Sequence, residues 1–250
     1  MPLPEKSAEQ LLQELVYAVS HDLGASVRAV NGFADLLNRR YGDRLEDDGR
    51  NFLRLMTKGA TDLQAQINGL LAFSRVTTHG RPFAATSVAA VWRSVLAAYA
   101  AKLTEINAVV DHTELPTVLA DEAQLTQLLT ELLDNAIKFR RDQPLRVCFS
   151  VETPALAAPP GESWKFQLTD NGRGIAPQHL NRIFQMFQRL CPEIPGSGVG
   201  LAVCQRIVQR HGGAMWAESD SGVGSTFSFT LPDRSSGDQE PPNTCDEITE

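Results

Sequence analysis

A repeat of seven residues places apolar side chains on one stripe across the first third of the sequence. Its positions are Val16, Val19, Leu23, Ser26, Val30, Phe33 and Leu37. Steps that alternate between three and four residues predict one face of an α-helix, and only Ser26 interrupts the apolar character of that face. The helix should end near Arg40, because Tyr41-Gly42-Asp43 supplies a glycine for its cap.

A second apolar repeat follows within residues 52–73. Its positions are Phe52, Met56, Gly59, Leu63, Ile67, Leu70 and Phe73. Two helices of about 30 residues with one apolar face each bury little surface as an isolated hairpin. A four-helix bundle made of two hairpins covers both faces. We therefore expect residues 1–78 to form a helical hairpin that dimerises with a second copy, giving a homodimer.

The rest of the chain mixes the helical and strand periods. A break at 77–82 marks a linker over 79–85, after which helices are expected at 87–105, 121–139 and 200–211. Strands are expected at 108–111, 145–152, 164–169, 214–218 and 226–231. This order predicts an α/β sandwich over 86–232 and an α+β class for the whole chain. The acidic, proline-containing tail over 233–250 is predicted to be disordered.

Composition narrows the functional classes. The formal net charge of -7 argues against a nucleic-acid scaffold, which would be basic. The cysteines show neither a disulfide framework nor zinc-ligand spacing. The first residues lack a signal-peptide pattern, and the most apolar stretch is too short to cross a bilayer. We expect a soluble, cytoplasmic protein without direct membrane insertion.

Three polar residues share one face of the predicted helix at 121–139. Glu131 and Asn135 are four residues apart, and Lys138 follows three later. Mg²⁺ binds oxygen ligands such as an Asn side chain, and Lys can meet phosphate charge. The alternative is the hydrated edge of an amphipathic helix.

Two glycine-rich segments suit a bound ligand. The run from Asp170 to Ile175, with Gly172 and Gly174, follows a strand, and its carboxylate can accept hydrogen bonds from an exocyclic amine. The run 196–201 opens a helix, whose free N–H groups suit phosphate. A β-turn and a flexible lid are the alternatives for these segments. In 222–227, Thr226 offers a hydroxyl to a phosphate, the alternative being a hairpin turn.

The order of these motifs, behind a His21-Asp22 pair on a helix, is more specific than any one of them. Over residues 8–232 the chain resembles the sensor histidine kinases of two-component signalling, in particular the branch whose kinase core follows phytochrome-type or PAS sensors. The resemblance implies a dimeric four-helix bundle followed by a Bergerat-type (GHKL) ATP-binding sandwich.

The resemblance also implies roles for single residues. His21 corresponds to the phospho-acceptor and Asp22 to its acidic neighbour, and Glu131 joins them as a candidate catalytic residue. Asn135 corresponds to the Mg²⁺ ligand, with Glu131 beside it, and Phe184 and Phe187 to an aromatic pair that braces the lid. The implied ATP-binding residues are Asn135, Lys138, Asp170, Gly172, Gly174, Ile175, Phe187, Gly196, Ser197, Gly198, Val199, Gly200, Leu201 and Thr226.

The implied reaction is ATP-dependent autophosphorylation on His21, followed by transfer of the phosphoryl group to an aspartate on the receiver domain of a response regulator. The implied cofactors are ATP and Mg²⁺. Only 20 residues precede His21, which leaves either a separate sensor protein or a missing N-terminal sensor domain as the source of the signal.

Three positions depart from the family pattern. Ser26 stands where proline is frequent, which predicts a straighter first helix. Ala25 stands where phosphatase-active members carry a polar residue, which predicts weak dephosphorylation of the partner. Glu131 replaces an Asn and resembles the general base of gyrase-type ATPases, although a metal-shell carboxylate also fits. Two alternatives therefore stay open, a dimerising scaffold that binds ATP without transfer and a gyrase-like ATPase that uses Glu131.

Overall fold

The computed structural model describes residues 8–152, 163–191 and 193–232. At 8–15, 17, 18 and 21 it describes the backbone alone. The tail predicted over 233–250 lies outside the described residues. The described chain consists of a helical hairpin followed by an α/β sandwich, which confirms the α+β class predicted from periodicity.

The hairpin consists of α1 (Ala8–Tyr41) and α2 (Asp47–Thr78), joined through a short 3₁₀ turn at Gly42–Arg44. Arginines end α1 and aspartates begin α2, so both charges complement the helix dipoles. The two helices pack along a stripe of small and apolar side chains. Its buried members on α1 are Ser20, Gly24, Val27 and Ala34. Its buried members on α2 are Leu53 and Ile67.

The apolar repeat of α1 does not lie in this contact. Its members Val19, Leu23, Val30, Phe33 and Leu37 are between 47% and 68% exposed. The helix therefore carries two separate stripes, one packed on α2 and one left open. Phe52, Met56 and Leu63 of α2 are exposed in the same way, so the hairpin leaves an apolar surface uncovered.

The sandwich contains a five-stranded sheet. Its strands are β2 (Val109–His112), β4 (Arg146–Glu152), β5 (Ser163–Asp170), β6 (Met215–Asp220) and β7 (Gly224–Pro232). They lie in the order β2-β4-β5-β7-β6, and only β2 and β4 are parallel. Three helices cover one face of this sheet. They are α3 (Val88–Glu105), α4 (Glu122–Lys138) and α5 (Gly200–Arg210).

Aromatic rings join the sheet to the helices in the centre of the core. Trp92 of α3 contacts Phe149, which is followed by Phe166 and Phe229 on neighbouring strands, with ring centroids 5.0, 6.0 and 5.0 Å apart. Leu128, Leu132 and the other apolar residues of α4 pack against them. Because all four rings are almost fully buried, this row fixes the spacing between α3 and the sheet.

The periodicity did not predict a small two-stranded sheet at the entrance to the sandwich. It pairs β1 (Ala84–Ser87) with β3 (Thr117–Ala120). Each strand has four residues, too few for a clear alternation. The Ser87 hydroxyl then caps α3 by accepting the Ala90 N–H at 3.2 Å. No helix within the described part of the chain is both long and apolar enough to cross a membrane.

We expect Phe166→Ala to lower the free energy of unfolding of the sandwich by about 3–5 kcal/mol, because it empties the middle of the aromatic row. Chemical denaturation followed by intrinsic fluorescence measures this loss. Val223→Ala, at a turn residue that is 65% exposed, is the matched control and should change the value by less than about 0.5 kcal/mol. A loss below 1 kcal/mol (about the average for any substitution) for Phe166→Ala would contradict the assigned core.

Candidate functional site

A cavity of about 290 Å³ opens between α4, the end of β5 and the segment that precedes α5. We call residues 194–200 of that segment the lid. The lining contains polar groups from three elements, with an apolar floor that includes Ile183, Leu201 and Phe227. A mostly apolar cavity with a few convergent polar groups is typical of a small-molecule site.

Helix α4 presents the three predicted polar residues to this cavity. The Asp121 carboxylate caps the helix by accepting the Ala123 and Gln124 N–H groups at 3.1 and 3.3 Å. The apolar face of α4 packs on the sheet, which turns Glu131, Asn135 and Lys138 toward the cavity. The Lys138 ammonium also forms an ion pair with Asp134, one turn earlier.

Asp170 lies at the end of β5, where its carboxylate is buried against the cavity. Burial raises the pKa of Asp170, and hydrogen bonds from the backbone N–H groups of Gly172 and Ser225 oppose that rise. The Gly172 N–H donates to Oδ1 at 2.7 Å. The carboxylate is therefore held in one orientation, as a fixed acceptor for a ligand.

Glu131 lies beside the start of α5 and is partly buried. Its pKa is raised by burial first and by the charge of Asp134 second, while Lys138 lowers it. A Cβ atom at Gly200 would lie 2.4 Å from Glu131 Oε2, so glycine at that position makes room for the carboxylate. The site thus contains a partly buried acid directly below the lid.

The lid follows a path that requires glycine. Gly198 has a φ of +69°, and a Cβ atom there would lie 2.8 Å from the Gln188 carbonyl oxygen. Phe187 itself adopts a left-handed φ of 63°, which is uncommon for a residue with a side chain. The lid therefore folds back onto 187–188 and closes one side of the cavity.

The lid also contacts α2 of the hairpin. Val199 is 1% exposed, and a Cβ atom at Gly69 would lie 2.7 Å from its side chain. The Arg189 guanidinium is 3.8 Å from the Asp62 carboxylate and donates to the Ile194 carbonyl at 2.9 Å. The sandwich is therefore docked on α2 through the segment that borders the cavity.

The lid docks on α2 close in sequence to a residue that packs against α1. Gly69 is two residues from Ile67, whose side chain lies 3.7 Å from a Cβ atom built on Gly24. His21 lies within α1, and its side chain is outside the described part of the structure. Asp22 is exposed, and the Ser26 hydroxyl donates to the Asp22 carbonyl at 3.2 Å. The straighter helix expected from Ser26 stays a prediction.

Most of the residues predicted for ATP binding line this cavity. They are Asn135, Lys138, Asp170, Gly174, Ile175, Gly196, Ser197, Gly198, Gly200 and Leu201, with Glu131 beside them. Four predicted residues do not: Gly172 lies against the Phe139 carbonyl, Phe187 is exposed, and Val199 packs on α2. Thr226 faces away from the cavity, and its hydroxyl lies 3.0 Å from that of Thr169. Strand alternation could have shown this, because Ser225 and Phe227 share the opposite face.

Several other lining residues had no predicted role. They are Phe139, Arg173, Ala176, His179, Ile183, Gln188, Arg189, Leu190, Cys191, Ile194, Pro195, Ser225 and Phe227. Arg173, Ser225 and Phe227 lie within the runs 170–175 and 222–227, so a sequence signal for them was present. Arg173 and His179 reach the cavity through the loop after β5, a path that periodicity does not encode.

Two family models match successive parts of the chain. Residues 11–79 match the His Kinase A (phospho-acceptor) domain. Residues 120–235 match the histidine kinase-, DNA gyrase B- and HSP90-like ATPase family. The first match covers the hairpin and the second covers the elements that form the cavity.

Known proteins show the same combination. A cyanobacterial phytochrome A of Nostoc sp. is 37% identical over 88% of this chain and 28% of that protein. The adaptive-response sensory kinase SasA of Synechocystis sp. is 31% identical over 92% of the chain and 63% of that protein. The chain thus spans less than two thirds of these relatives. The full-length structure of ShkA with AMPPNP aligns with a TM-score of 0.62 and 26% identity, over 87% of this chain and 45% of that one.

We expect Glu131→Gln to raise the melting temperature at pH 8. A raised pKa means that the folded state favours the protonated Glu131 over the ionised form. The contribution of protonated Glu131 to stability is therefore complete below the ordinary pKa and is lost as the pH rises through the raised pKa. Gln removes the penalty on the ionised form, and the gain should disappear at about pH 3, below the ordinary Glu pKa of about 4.3, where the acid is protonated in both states. Calorimetry at both pH values measures the difference.

The matched control is Glu114→Gln, at an exposed loop position. It should leave the melting temperature almost unchanged at both pH values. A Glu131→Gln variant that melts lower at pH 8 would show that the carboxylate stabilises the fold and would contradict its desolvated position.

Proposed function

Because the chain belongs to the sensor histidine kinases, with both core domains in the order of that family, we propose that it is an ATP-dependent protein-histidine kinase that autophosphorylates on His21. The observation that carries the proposal is the cavity itself. It gathers Asn135, Lys138 and Asp170 under a glycine-rich lid, and that lid contacts the helical hairpin.

The geometry supports a division of the cavity between base and phosphates. Asp170 is a buried, oriented acceptor that suits the exocyclic amine of adenine, next to the apolar surface of Ile175 and Phe227. Lys138 and the N–H groups at the start of α5 suit the phosphates. Thr226 takes no part in this arrangement.

Magnesium fits the donor set only together with a nucleotide. No group of three or more His, Cys, Asp or Glu side chains that could hold a metal occurs among the described residues. The side-chain oxygens of Asn135 and Glu131 line the cavity, and phosphate oxygens complete such a shell. Asn135, with Glu131 beside it, would hold Mg²⁺, which neutralises phosphate charge when bound.

The reaction requires His21 as the nucleophile. A neutral imidazole nitrogen attacks the γ-phosphorus of ATP, a P–N bond forms, and the bond to the β–γ bridging oxygen breaks to release ADP. Asp22 would accept the other ring N–H, which fixes the tautomer and supports the positive charge that develops. The phosphoryl group then passes to an aspartate of a response regulator receiver domain.

The open stripe on the hairpin supports homodimerisation. Exposed apolar residues on α1 and α2 would be covered by a second hairpin in a four-helix bundle. The phospho-acceptor domain match supports the same assembly. The cytoplasm is the compartment that suits a response regulator as partner, and a sensor protein or sensor domain would supply the signal.

Incubation with γ-labelled ATP should label the chain with an acid-labile, base-stable phosphoryl group, because a phosphoramidate hydrolyses in acid. The label should be absent from His21→Gln. His112→Gln, at an exposed histidine of β2, is the matched control and should keep the label. Label retained in His21→Gln would contradict the proposal.

The same assay separates the alternatives, which neither the domain matches nor the relatives favour. A scaffold would bind ATP without acquiring label. A gyrase-like ATPase would release inorganic phosphate in a His21→Gln background and lose that activity on Glu131→Gln.

We expect weak phosphatase activity, because Ala25 offers no polar group to orient a water molecule. With a receiver domain that accepts label from this chain, Ala25→Thr should speed dephosphorylation by at least about tenfold. Ala29→Thr, one turn further along the exposed side of α1, is the matched control and should have no effect. Rapid dephosphorylation by the unmodified chain would contradict the expectation.

A further inference from the structure

The end of α2 and the linker that follows it are built into the sandwich. Val76 is 2% exposed and belongs to the same apolar core as Leu128 of α4. The Gln124 side-chain amide donates to the Val76 carbonyl at 2.7 Å. The last turn of α2 is thus part of the catalytic core and not a free stalk below it.

Arg210, the last residue of α5, joins this region from the other side. Its guanidinium donates to the Asp121 carboxylate at 3.2 Å, to Gln124 Oε1 at 2.9 Å and to the Arg81 carbonyl at 2.7 Å. It also stacks over the Phe83 ring, with 4.8 Å between Cζ and the ring centroid. The planar guanidinium of Arg210 therefore contacts the start of α4 and two linker residues at once.

The carboxylate of Asp121 is the centre of this contact. It is 1% exposed and accepts the Arg81 backbone N–H at 2.6 Å in addition to the Arg210 bond. The Asp121 N–H donates to His211 Nε2 at 3.1 Å, and the His211 ring stacks on Phe83 at 4.5 Å. Burial in this position requires the compensating cation, because an unpaired carboxylate would be strongly disfavoured.

Gly80 shows how closely the linker approaches. A Cβ atom at this position would lie 2.2 Å from Arg210 Cζ. The backbone of the linker thus lies directly against the guanidinium. We call this set of contacts the linker clamp: Arg210 and Asp121 with Gly80, Arg81 and Phe83.

We propose that Arg210 is a positioning residue whose linker clamp makes α2 and the sandwich a single rigid body, so that residues 79–85 are not the hinge of the kinase. This inference rests on the proposed function. The sandwich then follows α2, and the approach of the ATP site to His21 is controlled by movement of α1 against α2 or of a partner hairpin.

The first test measures the linker directly and needs no kinase activity. Hydrogen–deuterium exchange of a peptide covering 79–84 should be slow in the unmodified chain and faster by at least about tenfold in Arg210→Ala. Gly80→Val provides a second route to the same effect, because it displaces the guanidinium and removes no charge from the sandwich. Gln209→Ala, at an exposed neighbour of Arg210, is the matched control and should leave exchange unchanged.

The second test separates positioning from stability. In single-turnover autophosphorylation at saturating ATP, both clamp variants should be slower by between about ten- and a hundredfold, because a small misplacement of reacting groups is costly. Affinity for a fluorescent ATP analogue should stay the same, since neither residue lines the cavity. Arg210→Lys keeps the positive charge but lacks the planar guanidinium, so its transfer rate should lie between those of Arg210→Ala and the unmodified chain.

The outcomes are distinct. Unchanged linker exchange in both variants would overturn the inference, and so would faster exchange with an unchanged transfer rate. A loss of ATP affinity parallel to the loss of rate would indicate a general structural effect and would also overturn it. A chain that acquires no label in any form would contradict the proposed function, while the exchange measurement would still decide whether the clamp holds the linker.

Discussion

The buried carboxylate of Asp121 is the interaction on which the arrangement of the molecule depends. One oxygen caps α4 and thereby orients the helix that presents Glu131 and Asn135. The other oxygen receives Arg210 and the backbone of Arg81. A single side chain therefore links the geometry of the cavity to the connection with the hairpin, and a charge that would be costly alone is stabilised by serving both.

The cavity contains carboxylates at buried positions, where the ionised form lowers the stability of the folded state. Burial raises the pKa values of Glu131, Asp170 and Tyr99, and the negative charges of Asp134 and Glu131 raise the pKa of Tyr99 further. A sequence selected for stability alone would place apolar or amide groups there. The retention of such carboxylates around one cavity is typical of a site kept for binding or catalysis.

Local patterns were sufficient for the longer helices and strands and for the polar face of α4, because helix and strand periods depend on neighbours in sequence. They identified Asp170 and the lid for the same reason. They missed β1 and β3, whose four residues each are too few to show a period. They could not reveal that Val199 packs on Gly69, or that Arg210 reaches Phe83, since these contacts join residues far apart along the chain. At Thr226 the motif match and the alternation of its own strand disagree, because the residue does not line the cavity and its hydroxyl contacts that of Thr169. The apolar stripe of α1 was predicted to pack in a dimeric bundle. The structure adds that a different stripe of α1 packs against α2.

The position of Val76 inside the sandwich core also bears on where the chain divides into domains. Domain boundaries fall where few contacts cross. By secondary structure, that boundary would fall after Thr78, where α2 ends. By packing, it falls before Ala72, the first residue of α2 that packs against the core, so a fragment that began at the end of α2 would lack the side chain that fills this part of the core. The packed unit is therefore offset from the end of the helix by about two turns.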